Sequence, residues 1–140
     1  MASSQEIEWD GSEIKYPELK PITLNPSKNI LLIDVREPDE VAQGSIPTSV
    51  NLPLSKLENS FGITPDEFLK LHGFPKPNED QKMIFYCKMG KRSGQAADLA
   101  KTKGYKKIKV YKGSWMDWVR NEGSAPKSGL VSWVLRNFSI

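Results

Sequence analysis

A chain of 140 residues, 38% hydrophobic and 26% charged, has apolar content for one globular core and too little length for two ordinary domains. Its longest aliphatic run, Ile30 to Ile33, falls far short of the roughly 20 apolar residues a membrane-spanning helix needs. A single cysteine excludes an internal disulfide framework, and a single histidine leaves no Cys/His cluster for a bound metal, so no cofactor or metal is expected.

The net charge of +3 conceals an asymmetry: residues 81–120 hold 11 Lys or Arg against Asp98 and Asp117, a local +9 that leaves −6 for the rest. The positive field surrounds Cys87 and suits an anionic small molecule, an acidic partner or nucleic acid alike. Met1 to Asp10 carries Glu6, Glu8 and Asp10 with no basic residue, unlike a transit or signal segment, which predicts a cytoplasmic address.

In chain order, the prolines at 17, 21 and 26 predict at most a short strand and one helical turn before Lys28. Ile30 to Val35 is apolar on both faces up to Asp34, as in a strand covered by two helix layers. Glu37 to Gly44 reads as a short helix and Ser49 to Leu52 as a second strand ended by Pro53. Thr64, Pro65 and Glu67 form a capping box for a helix with Phe68 and Leu71 on one face and Gly73 as its stop. After a loop rich in proline and charge, Met83 to Tyr86 is another buried strand, with Cys87 at its C-terminal end.

Ser93 to Lys103 has Ala96, Leu99 and Ala100 at helical spacing, and Gly104 beyond its end. Ile108 to Tyr111 alternates as a half-exposed strand, and Ser114 with Asp117 is spaced as a capping box for a last helix carrying Trp115, Trp118 and Val119. Alternating strands and helices predict an α/β fold with a parallel sheet. His72 lies where an imidazolium complements a helix C-terminus and is given no catalytic role. The apolar tail from Leu130 follows a linker at 123–129, and is expected to pack or pair rather than bind a membrane.

In such a sheet ligands bind beyond the carboxyl ends of the strands, where Cys87 falls. The short loop Lys88-Met89-Gly90-Lys91-Arg92-Ser93 leads directly into a helix. Curled around Gly90, it turns backbone N–H groups inward as an anion nest. A thiol there, beside Lys88, Lys91 and Arg92, has its thiolate favoured and its pKa lowered. The same donors would stabilise a persulfide anion, and the cations would hold the sulfonate end of a thiosulfate-like donor in a ping-pong scheme. The alternative is a buried structural cysteine, the commoner role of a free thiol, which the loop argues against.

These segments resemble the rhodanese family. Asp34-Val35-Arg36-Glu37 with Glu40, Gly44-Ser45-Ile46-Pro47 and Val50-Asn51-Leu52-Pro53 resemble its D-V-R-x-x-x-E and G-H-I-P-G-A-x-N-I-P signatures. Cys87 to Ser93 resembles its C-x-x-G-x-R-S active loop, and Tyr111 to Trp118 its closing Y-x-G-G/S-x-x-x-W. The resemblance implies a rhodanese-like α/β domain, a five-stranded parallel sheet flanked by helices on both faces, over residues 14–122. An N-terminal extension (1–13) and a linker with apolar tail (123–140) lie outside it.

It also implies a thiosulfate sulfurtransferase with Cys87 as nucleophile and residues 88–93 binding substrate. Its partners would be a small anionic sulfur donor and a thiol acceptor such as glutathione or thioredoxin, or cyanide, with no nucleic acid and no membrane span, in a monomer or weak dimer. Ser45 replaces the usual His, and Thr48-Ser49 the small Gly-Ala pair, so these positions are expected to be structural. Asp34 and Arg36 are expected to pair near the site, because a buried strand-end carboxylate needs a partner. Phosphatases and arsenate reductases of the same fold carry C-x5-R; here Arg92 closes a C-x4-R loop, the sulfurtransferase length. A non-catalytic partner-binding module is the reading from a different class.

Overall fold

The computed structural model describes residues 8–123, so the tail from Leu130 and most of the linker lie outside the described residues. The elements run β1 (Asp10–Glu13), α1 (Tyr16–Leu24), β2 (Ile30–Asp34), α2 (Pro38–Val41), β3 (Val50–Asn51), α3 (Leu54–Ser60), α4 (Pro65–His72), β4 (Lys82–Tyr86), α5 (Lys91–Thr102), β5 (Lys107–Val110) and α6 (Ser114–Glu122). All strands are parallel, in the order β1-β5-β4-β2-β3. The chain winds outward from β2 to β3 on one side and from β4 to β5 on the other. The crevice at the switch point therefore opens between the ends of β2 and β4.

β4 is the middle strand, and its period-2 alternation divides the core. Met83, Phe85 and Cys87 face a cluster built from Leu57 of α3, Phe68 of α4 and Ala96, Ala97 and Ala100 of α5. Ile84 and Tyr86 face the opposite cluster, with Leu19 of α1, Ile46, Tyr111 and Trp118 of α6. The expected α/β architecture with helices on both faces is what folds. The capping box of α4 is also present: Thr64 Oγ1 accepts the N–H of Glu67 at 3.2 Å, and Gly73 takes φ 79° just beyond the helix.

Several elements differ from expectation, each for a physical reason. The sheet recruits Asp10–Glu13, from the stretch assigned to an N-terminal extension, as an edge strand, and the N–H of Ile14 extends that pairing to Val110 C=O at 2.9 Å. α1 is nine residues long despite Pro21, because packing outweighs the lost donor: Leu19 is buried, Tyr16 meets Trp118 edge-on at 5.3 Å, and Lys20 pairs with Glu122 at 2.6 Å. α2 is a single turn from Pro38, and β3 is two residues long.

α3 was not anticipated at all. β5 is buried rather than half-exposed at Ile108, Lys109 and Val110, since β1 continues the sheet beyond it; Lys109 Nζ reaches Ser12 Oγ at 2.7 Å. On α4 Phe68 is buried while Leu71 is 66% exposed. Thr48, where the family signature has glycine, sits at φ 72°, a left-handed conformation costly for a β-branched residue. Ser49 is tied to Ile46 C=O at 2.7 Å and to Tyr86 Oη at 3.0 Å, which makes this corner architectural, as expected.

Candidate active site

Cys87 follows β4 directly, and Gly90 begins α5 with φ 108°. That backbone tightens the loop until two of its amides reach the sulfur: Sγ accepts the N–H of Gly90 at 3.0 Å and of Ser93 at 3.4 Å. Two hydroxyls complete the ring, Ser93 Oγ at 3.6 Å and Ser114 Oγ at 3.7 Å. Cys87 is only 1% exposed, and burial alone pushes its thiol up. The hydroxyl and N–H of Ser93, the hydroxyl of Ser114 and the N–H of Gly90 outweigh that cost and bring the thiol below its ordinary value. The anion nest expected from the loop thus forms, but its donors are amides and serines more than lysines.

The structure sorts the loop residues accordingly. Gly90 and Ser93 meet the sulfur; Lys88, Met89 and Lys91 are exposed beside it. Arg92 turns to Glu40 of α2 in a bidentate pair at 2.7 and 3.0 Å. Asp34 and Arg36 form the expected pair, both buried, with Arg36 Nε at 3.0 Å from Asp34 Oδ1 and Nη2 at 2.7 Å from Oδ2. The Arg36 Nη2 also donates to Gly44 C=O at 2.8 Å, and its guanidinium lies 5.0 Å from the Trp115 ring centre. A cleft of about 430 Å³ elsewhere, bounded by Pro38, Val50, Lys56 and His72, includes none of the expected site residues.

Sequence reasoning missed two contributors. Ser114 was read as a helix cap, yet its Oγ accepts the N–H of Cys87 at 3.1 Å and donates to Tyr111 C=O at 3.0 Å, while Gly113 occupies the cap position. The signal was topological: β5 adjoins β4, so the loop after β5 lies beside Cys87. Glu40 was quoted as part of a signature without a role. Its Oε1 accepts both the Glu37 N–H at 3.0 Å and an Arg92 donor, coupling the start of α2 to the reactive loop.

Two expectations follow from this geometry. At Gly90 an added Cβ would lie 2.5 Å from Lys112 C=O in a backbone conformation L side chains avoid. Gly90→Ala should therefore cost about 2 kcal/mol or more in denaturant unfolding and raise the thiol pKa, read by alkylation rate against pH. Glu40 is held at about 2 by its Arg92 hydrogen bonds, against an ordinary 4.5. A depressed carboxylate stabilises the fold fully above its unfolded value, and loses that contribution as pH falls from about 4.5 towards 2. Glu40→Gln should flatten this part of the acid-unfolding profile.

The chain belongs to the rhodanese-like domain family, whose sequence profile matches residues 23–121. A thiosulfate:glutathione sulfurtransferase of Saccharomyces cerevisiae is 36% identical over 126 residues, covering 82% of this chain and 91% of that one. A relative in Schizosaccharomyces pombe, named as a mitochondrial thiosulfate sulfurtransferase, is 47% identical over 91 residues. That match spans 65% of this chain and 64% of the relative, just under two thirds of its length. Among solved structures, the human single-domain sulfurtransferase TSTD1 superposes with a TM-score of 0.72 at 34% identity, covering 77% of this chain and 95% of that one. The sulfurtransferase expectation agrees with these names. The mitochondrial one leaves the cytoplasmic address resting on N-terminal composition alone.

Proposed function

We propose that the chain is a single-domain sulfurtransferase that takes a sulfane sulfur from thiosulfate, or a related persulfide donor, onto Cys87 and passes it to a thiol such as glutathione, or to cyanide. The observation that carries this reading is the ring of four donors around one sulfur, Gly90 N–H, Ser93 N–H and the hydroxyls of Ser93 and Ser114. Such a ring favours an anionic sulfur over a neutral one.

The Cys87 thiolate attacks the outer sulfur of thiosulfate; the S–S bond of the donor breaks and sulfite leaves with its electron pair. Cys87 then carries a persulfide anion. An acceptor thiolate attacks the outer sulfur of that persulfide and departs as the new persulfide, which returns Cys87 to the thiolate. The exposed Lys88 and Lys91, and the third of Arg92 that faces solvent, supply the field that gathers anionic donors.

The test is intact mass after incubation with thiosulfate. One added sulfur atom is expected on the wild-type chain, removed by glutathione and absent in Cys87→Ser. A wild-type chain that never gains sulfur from thiosulfate or a small persulfide would overturn the reading.

A further inference from the structure

Ser114 is fully buried and has φ 62°, a left-handed backbone that glycine adopts freely and serine seldom. Its neighbour Gly113 has an ordinary φ of −58°, so the glycine does not stand at the left-handed position. A side chain is kept where the backbone would favour none. Strain of this kind persists where surrounding structure enforces it and gathers at functional positions.

The side chain shows what is gained. Ser114 Oγ accepts the Cys87 N–H at 3.1 Å and donates to Tyr111 C=O at 3.0 Å, with Cys87 Sγ 3.7 Å away. Its single proton thus has two acceptors within reach. A carbonyl oxygen outcompetes a neutral thiol, which is a weak acceptor. A sulfur anion reverses the order, because charge-assisted hydrogen bonds are roughly twice as strong as neutral ones. Rotation about the Cβ–Oγ bond redirects the proton without moving any heavy atom.

We infer that Ser114 is a catalytic hydrogen-bond donor whose hydroxyl turns from the Tyr111 carbonyl to the Cys87 sulfur whenever that sulfur is anionic, and turns back on protonation. The proton stays on Oγ throughout, so no bond is made or broken. Ser93 stands in the matching position on the other side, donating to Gly90 C=O at 3.0 Å and lying 3.6 Å from the sulfur. The two serines thus switch from loop carbonyls to sulfur together. This rests on the proposed role of Cys87 as sulfur carrier for its use in turnover, but its thiolate limb can be read without any sulfur donor.

The experiment compares Ser114→Gly with Ser114→Ala in the full chain. Glycine relieves the left-handed backbone and alanine retains it, so the denaturation midpoint should be higher for the glycine variant; neither has the hydroxyl. The pH dependence of iodoacetamide alkylation reports the thiolate, since Cys87 is the sole thiol. Both variants are expected to raise the alkylation midpoint by about one pH unit, about tenfold less thiolate below it, and to the same extent despite their different stabilities. Midpoints that stay at the wild-type value while stability changes would overturn the donor role. Wild-type protein that takes no sulfur from thiosulfate, alongside shifted midpoints, would support the donor role and overturn the carrier reading instead.

Discussion

Replacing Cys87 with serine is expected to lower sulfur transfer from thiosulfate by about 10⁴-fold or more, with the fold retained. A hydroxyl in the same ring keeps an acceptor for the Gly90 and Ser93 amides, so the loop stays satisfied. It has no accessible anion near neutral pH and cannot hold a sulfane sulfur. Steady-state sulfite release and denaturant unfolding, measured together, separate chemistry from structure. Turnover within tenfold of wild type would place the reacting atom elsewhere.

The second large effect is on stability. Asp34 is fully buried and Arg36 is 2% exposed, and each is the other's charge partner. Arg36→Met leaves the carboxylate buried without its cation and should cost about 3–5 kcal/mol, read as a lower denaturant midpoint at unchanged slope. Removing both charges in Asp34→Leu/Arg36→Met should recover part of that loss, because a buried pair owes much of its apparent strength to the penalty of stranding one member. A double variant less stable than Arg36→Met would show that the remaining polar contacts dominate. These include the Arg36 donation to Gly44 C=O at 2.8 Å and the Asn51 side chain bridging the carbonyls of Asp34 and Arg36, each at 2.9 Å.

What was legible in the sequence follows from how local each signal is. The strand at Ile30–Asp34, the capping box at Thr64 and the Gly-bearing turn after Cys87 are written in adjacent residues, and all three formed. The Asp34–Arg36 pair was also readable, since two residues separate a buried acid from its only near base. α3 was not: Pro53 precedes it without a side-chain cap, and Leu54 and Leu57 alone make too weak a stripe. The Glu40–Arg92 pair joins positions 52 apart, and only the neighbouring of β2 and β4 brings them together. Ser114 misled because serine ahead of a helix usually caps it, whereas here a left-handed backbone aims the hydroxyl at the sulfur.

The first two amides after Ser114 donate to the reactive loop, Trp115 N–H to Cys87 C=O at 2.9 Å and Met116 N–H to Lys88 C=O at 3.1 Å. These are N-terminal helical donors with no partner inside α6, so the loop supplies what the helix lacks. A trans peptide points its N–H opposite its C=O, so anchoring these two oxygens on α6 also turns the Lys88 and Met89 amide hydrogens away from it. The final helix and the sulfur-bearing bend are thereby one cooperative unit: fraying of α6 at this end releases the peptide planes that give the bend its polarity.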